Sequence, residues 1–388
     1  MNRVCSIFSR ILQFFPRLEF DASVQKHQAS RHERGFTCRQ QLVAMLFCHL
    51  GHAQSLREIC GGLAATEGKL RHLGIEEAPK ATTLSYANAH RPWQLYQTVF
   101  QTTLARCQAE ALTRGKRKFR FRHKLLTLDA SMVELCAASF DWAKYKQTKG
   151  ALKLHLVLDH DGHLPCYAVM TEGKTADITE ARKMHFDPGT LLVFDRGYSD
   201  YNWWLDLTCG GVNFVTRLKD GAAYGVIESR PVPAGSDILR DEVIVLISQQ
   251  EIGPEARLRR IEVWVEEKKE TMVFVTNNLK LAARTIARIY KERWQIEMFF
   301  KALKQGLKVK TFVGTTENAV QIQIWTALIA MLILKYLQLK STWGGSLSNL
   351  IALLRQQLFV HRDLWTWMND PFQPPPDLQE SLQMHLPL

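Results

Sequence analysis

RTIARIYKERWQIEMFFKALK, Arg284 to Lys304, is the stretch whose reading decides the fold. It holds no Gly or Pro, and its apolar residues recur at helical spacing, which predicts one long amphipathic helix. At about 100° per residue, Ile289, Ile296, Phe299, Phe300, Leu303 and Leu307 share one broad face. Tyr290, Arg293, Glu297 and Lys304 share another stripe, within roughly 60° of one another. Taken alone, that stripe reads more readily as a solvated face with Arg293 and Glu297 as an i,i+4 pair. The rest of the chain has to decide what it faces.

Composition narrows the partners. The 388 residues carry a formal net charge of +12, which points to a polyanion and most simply to nucleic acid. The eight cysteines form no CxxC or Cys/His cluster and read as scattered reduced thiols of a cytoplasmic protein. The N-terminal stretch lacks the uninterrupted apolar run and cleavage site of a signal peptide. The most apolar run, Ile324 to Leu334, is read as too short to span a bilayer before Lys335, hence as a buried core helix and not a membrane element.

Cys38 to Leu73 is patterned as helix, short break and helix, with Ser55 and Glu58 as a capping box, and Trp93 to Thr113 continues helical. This region reads either as helix-turn-helix-like or as a plain bundle. The basic run 114–123, with Phe119 and Phe121 interleaved, marks a linker that also suits phosphate contact. Beyond it the periodicity changes. KLLTLD (124–129), ALKLHLVLD (151–159) and LPCYAVMTE (164–172) read as strands, the last two joined by a turn at Asp161-Gly162. A helix over 178–184, the strand TLLVFD (190–195), a helix at 201–208 and the strand GVNFVTRL (211–218) complete an α/β order with one mixed sheet. Residues 219–279 are rich in strand patterns and read as an insertion outside that sheet. The tail beyond Asp370 is proline-rich.

Two aspartates end apolar strands in this reading, Asp129 in LLTLDAS and Asp195 in LLVFDRGY. Asp is a poor strand residue, so one alone reads as a cap or turn. Two on adjacent strands, with Glu297 on a packed helix, predict a three-carboxylate cluster whose repulsion bound divalent cations relieve. Hard oxygen ligands suit Mg²⁺ or Mn²⁺, and two such ions serve phosphodiester chemistry. His155 on its strand reads either as facing this site or as a sheet histidine. Trp264 is expected on the exposed face of its strand, where it could stack on an extruded base or stand idle. Lys144, Lys146, Lys149 and Lys153 either line a DNA path or are solvated.

DASMVELC (129–136), FDWAKYKQTKGALKLHLVLDHDGHLP (140–165), TEGK (171–174), LVFDRGYSDY (192–201) and Y-x2-R-x3-E-x6-K (290–304) together resemble an insertion-sequence DDE transposase of the fourth insertion-sequence family. The resemblance runs from about Lys124 to Leu337. It implies an RNase H-like catalytic domain interrupted by a β-rich insertion, with Asp129, Asp195 and Glu297 binding two Mg²⁺. It implies that Tyr290, Arg293 and Lys304 contact DNA at the element's ends, and Arg196, Lys301 and Trp264 join them as candidates. Cleavage through a hairpin-ended element, strand transfer into target DNA, recognition of terminal inverted repeats and a homodimer in a synaptic complex follow from the same resemblance. The expected layout is a helical DNA-binding domain (1–113), the linker (114–123), an RNase H-like part (124–218), the insertion (219–279), the second catalytic part (280–340) and a helical C-terminal region (341–388). A cytoplasmic, nucleoid-associated bacterial enzyme is expected. The alternatives are an RNase H-like nuclease without strand transfer, or a catalytically silent DNA-binding regulator.

Overall fold

The computed structural model describes residues 5–31, 33–66, 69–114, 119, 121, 124–136, 140, 142, 144–146, 149–249, 251–307 and 312–373. Most of the basic run 114–123, the proline-rich tail from 374 onward and the side chains of Lys144, Lys146 and Lys149 lie outside them.

The first half is helical: α1 (Ile7–Leu12), α2 (Arg17–Lys26), α3 (Cys38–Leu50), α4 (Leu56–Ala64), α5 (Ala81–His90) and α6 (Gln94–Arg114). Thr37 and Gln40 form the capping box that starts α3. At α4 the expected box is rearranged: Ser55 accepts from Glu58 N, but the Glu58 side chain reaches past it to Gln54 N, at 2.9 Å. The connection between α4 and α5 carries a 3-10 turn, Lys69–Leu73, and is far longer than the turn of about three or four residues in a helix-turn-helix.

The sheet follows, with β1 (Leu125–Cys136), β2 (Lys144–Lys146), β3 (Lys149–Asp159), β4 (Leu164–Glu172), β5 (Leu191–Val193), β6 (Asn213–Arg217), β7 (Tyr224–Ser229), β8 (Ile238–Leu246), β9 (Arg257–Val265) and β10 (Glu270–Thr276). Helix α7 (Asp177–Ala181) precedes β5 and α8 (Tyr201–Cys209) follows it. The turn from β3 to β4 runs through left-handed Gly162 (φ 88°) and His163 (φ 53°), as Asp161-Gly162 predicted. β1, β3 and β4 are antiparallel neighbours, while β5 and β6 run parallel to β1, giving the order β4-β3-β1-β5-β6. This is the RNase H-like mixed sheet that the motifs implied.

The 219–279 strands do not stand apart, contrary to the sequence reading. β10 pairs antiparallel with β6, and β9, β8 and β7 follow, so the described strands form one ten-stranded sheet. The reason lies in β10, whose Phe274, Val275 and Thr276 face Arg217, Thr216 and Val215 across the last free edge of the catalytic sheet. Asn277 and Asn278 lock that seam, the first to Phe214 N (2.8 Å) and the second to Asn213 (3.0 Å).

Helices cover both faces. Trp203, Trp204 and Leu207 of α8 pack with Phe194 and Phe214 on one side. On the other, α9 (Ala283–Glu292) sets Ile286 and Ile289 against Val193, Val215 and Phe274. The chain continues through α10 (Trp294–Lys301), α11 (Glu317–Lys340), α12 (Leu347–Gln357) and α13 (Leu364–Asn369). α11 is the axis of the remaining core: from Ile322 to Leu334 every residue is buried, among the N-terminal helices, α12 and the β3/β4 face. Length is not what makes it a core helix, for its 24 residues are long and apolar enough to cross a membrane; its burial inside the protein is.

Because β10 is the seam, Phe274→Ala should lower stability by about 3–5 kcal/mol in urea unfolding, through one coincident transition seen by near- and far-UV circular dichroism. Two separated transitions would mean that residues 219–279 fold as an independent unit.

Candidate active site

The site begins with unequal strand lengths. β1 pairs with β5 only where Leu125, Leu126 and Thr127 face Leu191, Leu192 and Val193. β5 then stops, while β1 runs on to Cys136 held by β3 alone. Asp129 is therefore mid-strand, opposite Leu156 of β3, and not at a strand end as its sequence suggested. Extending the parallel register by two residues sets Asp129 level with Asp195, across an edge no strand fills.

Asp195 turns the chain out of the sheet. Its side chain caps the 3-10 turn Arg196–Tyr198, accepting from Gly197 N at 2.8 Å. A Cβ on Gly197 would lie 2.8 Å from Asp195 Oδ1, so the D-R-G motif needs glycine where the backbone closes on the carboxylate. Tyr198 is buried beneath the turn.

Glu297 comes from the other side. The predicted single helix is broken: α9 ends at Glu292, α10 starts at Trp294, and Arg293 sits at the joint with i→i−3 bonds on either side. A π-helical turn, Ala302–Gly306, then ends the segment. Arg293 Nη2 lies 2.5 Å from Glu297 Oε1, and its Nη1 lies 3.7 Å from Asp129 Oδ2. The guanidinium thus stands between two of the three carboxylates. Burial alone would lower its pKa, but Tyr290, Glu297 and Asp129 together raise it.

Asp129 records the crowding. Burial pushes its carboxyl up to about 7, with Asp195 and Glu297 adding to the rise and the Ala130 N–H and Arg293 opposing it. The oxygen donors suit a hard divalent cation. Among the described residues no three carboxylate, histidine or cysteine side chains converge as a finished metal site, because Arg293 occupies the space between Asp129 and Glu297.

The other candidates fall in several places. Tyr290 is half-buried, its ring 4.9 Å from that of Phe274 and 5.6 Å from the Arg293 guanidinium carbon. Lys304 donates to Met132 O at 2.5 Å, tying the π turn to β1. Lys301 is exposed on α10. Arg196 is exposed and pairs with Asp220 at 3.2 Å. Trp264 is 39% exposed on β9, opposite the face of Ile261 and Val263, and donates to Glu266 at 2.7 Å. His155 points away from Asp129: it lies opposite Ala130, buried, bonded to Thr171 at 2.9 Å. Lys153 is not a solvated charge: it pairs with Asp177 at 2.9 Å and donates to Thr175 O at 2.7 Å.

Two neighbours were missed in sequence. Trp294 (57% exposed) and Met298 (41%) stand outward on α10 beside Arg293 and Glu297. Their i,i+4 spacing on a face otherwise polar was the available signal.

The sheet order and the acidic edge first define a class, the RNase H-like α/β proteins. Residues 120–333 match the family described as Transposase DDE domain, and residues 4–76 match a domain of unknown function (DUF4372). The chain belongs to the Transposase DDE domain family. It is 28% identical to "Putative transposase y4zB" of Sinorhizobium fredii over 79% of this chain and 85% of that one. It is also 28% identical to "Probable transposase for insertion sequence element IS5377" of Geobacillus stearothermophilus, over 69% and 70% of the two chains. A third relative, "Putative transposase for insertion sequence element IS4SA" of Synechocystis, is 44% identical over 42% of this chain and 46% of that one. A piggyBac transposase synaptic complex with hairpin DNA superposes over 95% of this chain and 82% of that one at 10% identity, with a TM-score of 0.46, too loosely to inform the site. The resemblance to insertion-sequence DDE transposases is borne out. The protein is a DNA transposase, an enzyme of DNA cleavage and strand transfer that depends on divalent metal and has DNA as its partner.

Asp129 ionises near its ordinary value of 3.8 when unfolded but keeps its proton to about 7 when folded. The folded state therefore binds more protons in that window, and stability falls as pH rises through it. Asp129→Asn should remove this loss, raising the metal-free stability at pH 8 by on the order of 1–3 kcal/mol and flattening the profile between pH 4 and 7. Urea unfolding in EDTA across that range checks it; a destabilised Asp129→Asn chain at pH 8 would contradict it.

Proposed function

We propose that this transposase excises and inserts an insertion sequence, with Asp129, Asp195 and Glu297 as its metal-binding triad. The observation that supports the triad most is the open edge of β1 beyond β5, where Asp129 stands level with Asp195 and its carboxyl feels both Asp195 and Glu297. Two Mg²⁺, replaceable by Mn²⁺, are the group these oxygen donors would hold. When bound, such ions supply a nucleophile at neutral pH and take up charge on the leaving oxygen.

The protein's own residues do the rest. Asp129 releases its proton to solvent, Arg293 leaves Glu297 for a phosphate oxygen, and Lys301 and Arg196 flank the strand as exposed cations. Lys304 keeps the helix against β1, and reaches phosphate only if it exchanges Met132 O for it. Tyr290 backs Arg293 through its ring face. Trp264 and Trp294 offer aromatic faces on which an unpaired base stacks. Because two element ends must be handled together, the working form is a homodimer on DNA, in the cytoplasm at the nucleoid.

The test uses the full chain, Mg²⁺ and a duplex carrying the inverted repeat that flanks the reading frame. Asp129→Asn, Asp195→Asn and Glu297→Gln should each cut end cleavage by at least about a hundredfold while leaving duplex binding intact. Joined products with a supercoiled target plasmid should form with the unsubstituted chain alone. Cleavage without joined products would favour the nuclease reading, and normal cleavage by any of the three variants would remove that residue from the triad.

A further inference from the structure

We infer that α5 is the element that enters the major groove of the element's end DNA, an assignment that rests on reading the chain as a transposase acting on element ends. The inner face of α5 is fixed. Asn88 is buried, accepting from Gln41 at 2.7 Å, and Asn318 at the start of α11 donates to Asn88 O and Arg91 O at 2.8 and 2.7 Å. Leu84 and Ala87 complete the buried side. The helix therefore cannot roll.

Its outer face is built of short polar and aromatic groups. Thr82, Ser85, Tyr86 and His90 are exposed, and the Tyr86 and His90 rings stack with centroids 4.0 Å apart. Hydroxyls, a phenol and an imidazole can donate to or accept from base edges, and the methyl of threonine suits that of thymine.

Clefts run along both sides of this ridge. One, of about 690 Å³, is lined by Arg31, Arg34 and Arg91 beside Thr83, Tyr86 and His90. The other, of about 570 Å³, is lined by Arg57, Ser55 and Gln54 beside Thr82 and Ser85. Among the described residues neither lining contains an Asp or Glu. Arg31, Arg34 and Arg57 are exposed and have no ion-pair partner among the described residues, whereas Arg91 is spent on Gln41 and Phe36 O. Glu58, the nearest acid by sequence to the second cleft, is spent capping α4. A polar helix between two arginine-bearing clefts matches a major groove about 12 Å wide between two phosphate backbones. Through Asn318, the start of α11 and the π turn before it, this ridge is tied to the segment that carries Glu297.

The assignment separates two kinds of contact. Full-length chain would be titrated by fluorescence anisotropy against a duplex of the flanking inverted repeat and a shuffled duplex of equal composition, across a salt series. Thr82→Ala/Tyr86→Ala should weaken binding to the repeat at least about tenfold and to the shuffled duplex by less than about twofold. Arg31→Gln/Arg34→Gln/Arg57→Gln should weaken both and reduce the salt slope by about 3, one for each phosphate contact. All five side chains are exposed, and unchanged thermal melting shows that the variants fold. A preference for the repeat that survives Thr82→Ala/Tyr86→Ala overturns the α5 assignment and leaves the transposase reading standing. An unsubstituted chain without any preference for the repeat overturns end recognition, and α5's part in it as well.

Discussion

The burial of carboxylates at one unfilled sheet edge is the constraint around which this molecule is arranged. Asp129 and Asp195 are brought level by a parallel register, and Glu297 is delivered from a helix packed over the same edge. Water would relax such a cluster cheaply; a buried edge cannot. Arg293 stands 2.5 Å from Glu297 and 3.7 Å from Asp129, and burial, with Asp195 and Glu297 adding to it, holds the Asp129 carboxyl up to about 7. A bound divalent cation would relieve the same carboxylates, which is the basis for proposing them as a metal-binding set.

The surrounding framework is stiff where this cluster needs it. The helix joint at Arg293 lets one residue face the carboxylates while α9 and α10 each bury an apolar face, and Lys304 pins the following π turn to the backbone of β1. Gly197 lets the chain close on Asp195. α11 then binds this half of the molecule to the N-terminal helices through a single buried core, and β10 binds the outer strands to the catalytic sheet. Trp264 and α5, far apart in sequence from the acids, are thereby held on elements continuous with them.

Much of this was legible in the chain. Alternation in ALKLHLVLD, the Asp161-Gly162 turn and the D-R-G-Y and Y-R-E-K spacings carry the strand order and the acidic residues, because they depend on local sterics and on side-chain chemistry. What was hidden depended on partners distant in sequence. DASMVELC does not look like a strand, yet pairing with β3 extends β1 through it. The joint at Arg293 contains no Gly or Pro; it lies where α9, packed on β5, β6 and β10, gives way to α10, packed against β1. Whether β10 would join β6 or found its own sheet could not be read from alternation, since either edge suits the same pattern. The ridge of α5 was passed over because Thr, Ser, Tyr and His among alanines give no amphipathic signal until the clefts beside them are seen.

The central claim is that Asp129, Asp195 and Glu297 hold metal together. Replacing Mg²⁺ with Fe²⁺ and adding ascorbate and peroxide generates hydroxyl radicals at the metal, which cut the polypeptide nearby. Mass spectrometry of the fragments should place cuts within a few residues of 129, 195 and 297, suppressed by excess Mg²⁺ and absent in Asp129→Asn. Cuts clustered elsewhere, or cuts at these positions unaffected by Mg²⁺ and by Asp129→Asn, would contradict the account.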